Sequence, residues 1–191
     1  MAVLADDPTA GQVYGMLHLV SARIAAVDRR TAAVATHLAE ARSIATRLGE
    51  TTDGGPVALW FGPTNVTFWE SAIAVELGEG GRVRELAAGV TPAAVRSATR
   101  QASFYADLGR GLAQTRRSDQ EAVAYLTRAE RLAPQRIRLN PTVRHTVSTL
   151  LHRARRTALT VELRTLRERV GITLIHVRAG RATIRRVERP V

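Results

Sequence analysis

Four prolines in this chain each follow a residue that is favourable at the start of a helix. The pairs are Asp7-Pro8, Gly62-Pro63, Thr91-Pro92 and Asn140-Pro141. Proline is tolerated at the first helical position because its missing N–H would have no intrahelical partner there, and its fixed backbone angle already suits a helix. Each pair therefore predicts a helix start, and four such starts along 191 residues constrain the chain more than any other feature.

The apolar residues between these starts recur at spacings of three and four, as in Val123, Leu126 and Ala129, which is the period of a helix with one buried face. Ser118 and Glu121 predict a further start, a capping box in which a hydroxyl and a carboxylate satisfy the first backbone N–H groups. Short connections make consecutive helices antiparallel neighbours. The predicted helices are 8–27, 30–49, 63–77, 82–89, 92–115, 119–132, 141–156 and 160–170.

The apolar residues are mostly small and aliphatic, since hydrophobic residues make up 45% of the chain but aromatic residues only 4%. Such a core suits close helix packing better than a sheet, so an all-α fold is expected. Cysteine is absent, which excludes a disulfide framework and a thiolate metal site. No run approaches the ~20 apolar residues that span a bilayer, and the N-terminus carries acids where a signal peptide needs basic residues. We expect a cytoplasmic protein with no membrane partner.

The segment 107–134, DLGRGLAQTRRSDQEAVAYLTRAERLAP, resembles a tetratricopeptide repeat. Small residues let the two helices of such a repeat approach, and leucine fills the gap between them. The resemblance implies an array of antiparallel helical hairpins in a right-handed superhelix, with one domain over 1–171 and a basic tail over 172–191 that is disordered or a weak hairpin. The matching positions are Leu108, Gly109, Leu112, Ala122, Leu126, Ala129 and Pro134.

A wider resemblance covers about residues 10–171. The segments FGPTNVTFWESAIAVELGEGGR, YADLGRGLAQ, AVAYLTRAERLAP, VSTLLHRARR and ELRTLRERVGI are similar, in that order, to the C-terminal part of actinobacterial Xre-type helix-turn-helix transcriptional regulators. In that family a small DNA-binding domain precedes a tetratricopeptide-like domain, and we expect this chain to lack the former because it begins almost at the first repeat helix. The resemblance implies a regulatory domain that binds a peptide, a small effector or a protein partner, forms a homodimer, and does not bind DNA sequence-specifically by itself.

The stretch LWFGPTNVTFWE, residues 59–70, contains both tryptophans and two of the three phenylalanines. One interpretation is structural: Trp60 and Phe61 hold a repeat junction, with Phe61 stapled against the first turn of the following helix. The other follows from the resemblance, because tetratricopeptide domains bind peptides along a concave face. The amide of Asn65 could clamp a peptide backbone there, with Trp69 four residues on and on the same helix face. Asn65 and Trp69 are thus the predicted partner-binding residues, and the packing interpretation stays open.

The whole excess of positive charge lies in the last third of the chain. Residues 1–133 have equal numbers of arginines and acids, whereas residues 134–191 hold 14 arginines against 3 glutamates. Such a cluster can neutralise phosphates without sequence preference, which makes a non-specific nucleic-acid-binding protein the alternative function. Cations also favour helix C-termini and solvated faces, so a structural role and a pure interaction scaffold stay open. The predicted basic patch is Arg153, Arg155, Arg156, Arg185 and Arg186.

Catalytic and cofactor motifs do not emerge from the sequence. His145 and His152 lie seven residues apart, about 10.5 Å along a helix axis, which is too far to share one metal ion. The segment 77–83, LGEGGRV, lacks the third glycine of a dinucleotide-binding loop, and Gly78 is expected to be a left-handed helix cap. No nucleophile, base and orienting residue form a set. We therefore expect no enzyme, no metal and no cofactor.

Overall fold

The computed structural model describes residues 7–51, 55, 58–115, 117–154 and 161–172. These residues are predominantly helical and contain no strand, so the predicted all-α class is confirmed for the part of the chain that the structure describes. Two short 3₁₀ turns, Gly80–Arg82 and Pro92–Ala94, lie between α-helices. The helices are α1 Pro8–Val27, α2 Thr31–Leu48, α3 Pro63–Leu77, α4 Val83–Ala88, α5 Ala98–Ala113, α6 Asp119–Leu132, α7 Pro134–Arg138, α8 Pro141–Ala154 and α9 Val161–Arg169.

Three of the four predicted proline starts begin α-helices. Asp7 accepts a hydrogen bond from the backbone N–H of Thr9 at 2.8 Å, and α1 begins at Pro8. Asn140 accepts from the backbone N–H groups of Thr142 and Val143 at the start of α8. Gly62 has no side chain to offer, and the first turn of α3 is capped from elsewhere: the carboxylate of Glu50 accepts from the N–H of Thr64 at 2.8 Å.

The fourth start and the capping box are not as predicted. Pro92 begins only a 3₁₀ turn, because Val95 turns inward, is 2% exposed and takes an extended conformation that interrupts the helix. The helix therefore begins at Ala98 rather than 92. Ser118 makes no capping hydrogen bond; the guanidinium of Arg84 donates to its hydroxyl at 2.9 Å and also binds the Glu121 carboxylate. Both residues of the expected capping box therefore bind Arg84, which is distant in the sequence, and not the backbone N–H groups of the helix start.

Two helical hairpins pack most extensively, α1 with α2 and α5 with α6. Both are antiparallel, since the early residues of one helix meet the late residues of the other, as Gly11 meets Leu48 in the first hairpin. In the second hairpin, a Cβ on Gly109 would lie 2.7 Å from Cγ of Leu126 and 2.9 Å from the carbonyl oxygen of Ala122. Glycine at 109 is therefore what allows the close approach of α5 and α6 that the sequence predicted.

Helices α1, α3 and α5 lie side by side and run in the same direction. Between α1 and α3, Met16 lies near Asn65, and later in both helices Arg23 forms an ion pair with Glu76. Between α3 and α5, the ring of Phe68 stacks on that of Phe104, and the Gln114 amide donates to a carbonyl near the end of α3. This three-helix layer carries the candidate site.

The aromatic stretch sends its side chains into two different cores. The ring of Phe61 is fully buried among α1, α2 and α3, against Gly15. Trp60, whose φ of 55° is left-handed, packs against the other core, which α3, α5 and the later helices form. Because α3 contributes Val66 to the first core and Phe68 to the second, it lies between them. Both rings thus lie at a junction, as the packing interpretation expected.

No helix among the described residues is both long enough and apolar enough to cross a bilayer. The predicted helix 141–156 is described only to Ala154, and the tail predicted over 172–191 lies outside the described residues except for Ile172.

Candidate functional site

A cavity of about 530 Å³ opens to solvent on the layer of α1, α3 and α5. Its aromatic side consists of Phe68, Trp69 and Phe104, and the first and last of these stack with their ring centroids 4.2 Å apart. Ala72, one turn beyond Phe68 on α3, leaves room beside the rings because it has only a methyl side chain. Two predicted site residues, Asn65 and Trp69, are both in the wall of this cavity.

Four charged residues form a neutral network on one side of the cavity. Arg23 of α1 and Arg110 of α5 both reach the Glu76 carboxylate, at 3.1 and 3.3 Å. Arg110 also binds Asp107 at 2.7 Å. Burial raises the pKa of Asp107, although Arg110 and Arg23 favour its charged form. Two arginines and two acids therefore balance each other and tie α1, α3 and α5 together.

Two further arginines line the cavity without an acid. Among the described residues, neither Arg100 of α5 nor Arg136 of α7 has a carboxylate within ion-pair distance, as the contacts of each show. Arg100 donates to the carbonyl of Leu59 at 3.4 Å, and Arg136 donates to the hydroxyl of Ser103 at 3.2 Å. Burial and the neighbouring Arg136 lower the pKa of Arg100. The cavity therefore carries an excess of positive charge on this side.

Asn65 is fully buried in the first turn of α3. Its amide nitrogen lies 3.9 Å from the sulfur of Met16, a weak acceptor, and its side-chain oxygen Oδ1 has no hydrogen-bond partner among the described residues. The side chain is not exposed to solvent, so a ligand in the cavity reaches this oxygen only if a neighbouring wall side chain moves. Trp69 is half-buried, and it can be contacted directly.

The predicted basic patch is described at one position only. Arg153 donates to the carbonyl of Ala113 at 2.7 Å and to the Asp119 carboxylate at 2.9 Å, which ties α8 to the ends of the α5–α6 hairpin. This is a structural contact of a side chain that is 44% exposed. The other members, Arg155, Arg156, Arg185 and Arg186, lie outside the described residues.

Sequence reasoning missed the polar side of the cavity. Its charges come from separate helices, and the short helix α7, which carries Arg136, was not predicted at all. One local signal exists: Arg100, Ser103, Asp107 and Arg110 recur at three and four along α5, which marks one polar face of that helix. Among the described residues, no group of three or more histidine or acidic side chains is placed to hold a metal ion.

Comparison of this chain with protein-family models, with curated proteins and with solved structures gives no significant match.

Proposed function

We propose that this chain is a regulatory interaction domain that binds a peptide or a small effector in the cavity on α1, α3 and α5. The proposal joins the resemblance to the tetratricopeptide-like part of Xre-type regulators with the composition of the cavity. An open cavity of this size can hold a small ligand, and here an aromatic side stands beside a lining that is mostly polar and charged. The repeat-like superhelix that the resemblance implies belongs to the same proposal.

The observation that carries the proposal is the unpaired oxygen of Asn65. A buried acceptor without a partner costs about 1–3 kcal/mol of stability, and an apolar residue of similar volume would avoid that cost. Buried polar groups in native proteins are rarely left without a partner, and local exceptions to the folding rules concentrate at functional sites. Asn65 is such an exception in the wall of the cavity beside Trp69, and a ligand that displaces a neighbouring wall side chain would supply the donor that its oxygen lacks.

The test blocks the cavity without touching the core. Thr99 lines the cavity and is exposed, so Thr99→Trp fills it from the rim. Thr46 on α2 is also exposed and lies outside the cavity, which makes Thr46→Trp the matched control. The wild type and both variants are incubated with host extract and recovered, and the bound peptides and small molecules are identified by mass spectrometry. The same compound should be retained by wild type and Thr46→Trp and lost by Thr99→Trp; equal retention by all three would refute the proposal.

A second observation supports the predicted homodimer. Five large apolar side chains at spacings of four, three, four and three form a solvent-exposed stripe along α1: Val13, Leu17, Val20, Ile24 and Val27. This is the spacing of a seam between two helices. If two copies of α1 pack antiparallel, the acidic cap Asp7 of one copy faces Arg29 and Arg30 of the other. We propose that a second copy of this chain covers the stripe.

Sedimentation equilibrium over a concentration series tests the dimer. Leu17 is 58% exposed and Ile24 is 55% exposed, so Leu17→Glu with Ile24→Glu leaves the single chain intact. The wild type should approach the dimer mass, and the double variant should stay monomeric, because four carboxylates would be brought into the seam. Thr46→Glu, on an exposed face of α2, should dimerise as the wild type does. A monomeric wild type, or a double variant that still dimerises, would exclude α1 as the interface.

A further inference from the structure

The cavity has an uneven charge distribution that its own side chains do not neutralise. Arg23 and Arg110 are balanced by Glu76 and Asp107. Arg100 and Arg136 face the same space with no acid beside them among the described residues. We propose that Arg100 and Arg136 together bind an anionic group, a carboxylate or a phosphate, of the ligand that occupies the cavity.

The contacts of the two arginines leave most of their donors free. A guanidinium has several N–H donors arranged in a planar fork that matches a carboxylate or a phosphate. Arg100 uses its side chain for one long hydrogen bond of 3.4 Å, and Arg136 for one hydrogen bond of 3.2 Å, and both acceptors are uncharged. Two like charges in one cavity repel each other, and burial further disfavours the charge of the half-buried Arg100. An anion between them would remove that repulsion and occupy the free donors.

The start of α8 adds to the positive potential at the same place. Asn140 and Thr142 line the cavity at the N-terminus of this 14-residue helix, where the helix dipole favours negative charge. Asn140 already caps the first backbone N–H groups, so this end contributes through its dipole rather than through free donors. The arginines supply the direct contacts with the anion, and the dipole of α8 adds to the positive electrostatic potential around it.

The aromatic side restricts the rest of the ligand. Phe68, Trp69 and Phe104 stand in the wall of the same cavity as the two arginines. Phe68 and Phe104 are buried, and the half-buried Trp69 gives the body of a ligand with an anionic end an apolar surface. This inference rests on the proposed function, since it names the chemical class of the ligand that the cavity would bind: an anion with an apolar or aromatic body, such as an acidic peptide or an organic phosphate.

The test uses matched pairs of simple probes. N-acetyl-phenylalanine has a carboxylate and an aromatic ring, and N-acetyl-phenylalaninamide differs from it only in lacking the charge. Phenyl phosphate and inorganic phosphate report on the phosphate alternative. Binding is followed by the indole N–H resonance of Trp69, which is one of two tryptophans and is assigned with Trp60→Phe. Arg136 is exposed, so Arg136→Gln does not disturb the core, and Arg164→Gln on α9, exposed and outside the cavity, is the control.

We expect the acid or the phosphates to shift the Trp69 resonance as they bind. The amide should bind at least about tenfold more weakly. Arg100→Gln and Arg136→Gln should each lower the affinity for the anion by about tenfold or more, since a charge-assisted pair is lost. Arg164→Gln should bind the anion as the wild type does. The stronger of the two probe types identifies the carboxylate or the phosphate as the preferred anion. No shift with any anionic probe, equal shifts with acid and amide when the phosphates also give none, or anion binding that Arg136→Gln leaves unchanged would overturn the proposal.

The two proposals fail in different ways. If Thr99→Trp loses the retained compound but Arg136→Gln keeps it with full affinity, the cavity binds a ligand and the anion site is wrong. If Thr99→Trp also retains the compound, the proposed function fails, and the probe titrations still decide whether Arg100 and Arg136 bind anions.

Discussion

The ring of Phe61 occupies the space that a side chain at Gly15 would need. A Cβ on Gly15 would lie 2.1 Å from the ring carbon Cζ of Phe61 and 2.5 Å from Cε2. Phe61 precedes α3 and Gly15 lies in the middle of α1, so this contact fixes how the entry into α3 packs on the first helix. The missing side chain of one residue thus makes room for a fully buried phenylalanine ring.

Gly15→Ala should therefore destabilise the protein although alanine is the better helix former. The added methyl group forces the Phe61 ring out of its position, which should lower the free energy of unfolding by about 1–3 kcal/mol. Gly81→Ala is the control, since a Cβ there meets nothing within 4 Å. Chemical denaturation measures both. A Gly15→Ala variant as stable as Gly81→Ala would mean that Phe61 can repack without cost.

Asn65→Leu should be at least as stable as the wild type and should lose the ligand. Leucine removes the unpaired oxygen at similar volume, so the free energy of unfolding should stay equal or rise by up to about 2 kcal/mol. Asn140→Leu is the contrast, since its side chain caps α8 and its loss should cost about 0.5–2 kcal/mol. Thermal melts and ligand retention are measured together. A clear loss of stability in Asn65→Leu would show that the Asn65 oxygen has a partner.

The stability of the protein should depend on pH through Asp107. Its pKa is raised in the folded protein, chiefly by burial, with Arg110, Arg23 and Glu76 as the charged groups around it. A raised pKa means that the folded state binds the proton more tightly, so this contribution is fully present below the unfolded pKa and is lost as the pH rises through the folded pKa. Asp107→Asn lacks this loss.

The melting temperature of Asp107→Asn minus that of the wild type should thus increase as the pH rises above the ordinary range of an aspartate pKa. Asp28→Asn, which removes an exposed partner of Arg30, serves as the reference for a surface carboxylate. A difference between Asp107→Asn and the wild type that is constant with pH, or that decreases as the pH rises, would contradict the raised pKa.

Glu130 should be the most important carboxylate for the docking of the last helices. It is 1% exposed, and it accepts from Arg138 of α7 and Arg169 of α9. Glu130→Gln keeps the shape but loses two charge-assisted contacts, so we expect a loss of about 1–3 kcal/mol and faster hydrogen exchange in α9. Glu168→Gln, whose carboxylate is 68% exposed beside Arg167, should change little. Unchanged exchange in α9 would show that Glu130 does not hold it.

The sequence by itself determined most of the helix boundaries. The starts at Pro8, Pro63 and Pro141 and the end at Gly78, which has the expected left-handed φ of 81°, agree with the prediction. These features depend on residues a few positions apart, since a cap, a proline ring or a glycine conformation acts on its own turn. The small residue at Gly109 likewise predicted the close approach of its two helices correctly.

Only the tertiary structure decided which side chains meet across the layer of α1, α3 and α5. The late start of α5 depends on the burial of Val95, and the occupied capping box depends on Arg84, 34 residues before Ser118. The pairing of Arg23 with Glu76 joins residues more than fifty positions apart. Whether an arginine is neutralised or left to face a cavity depends on which distant helix packs beside it. Local sequence therefore determined most of the helix ends, whereas long-range packing determined the start of α5 and the charge of the site.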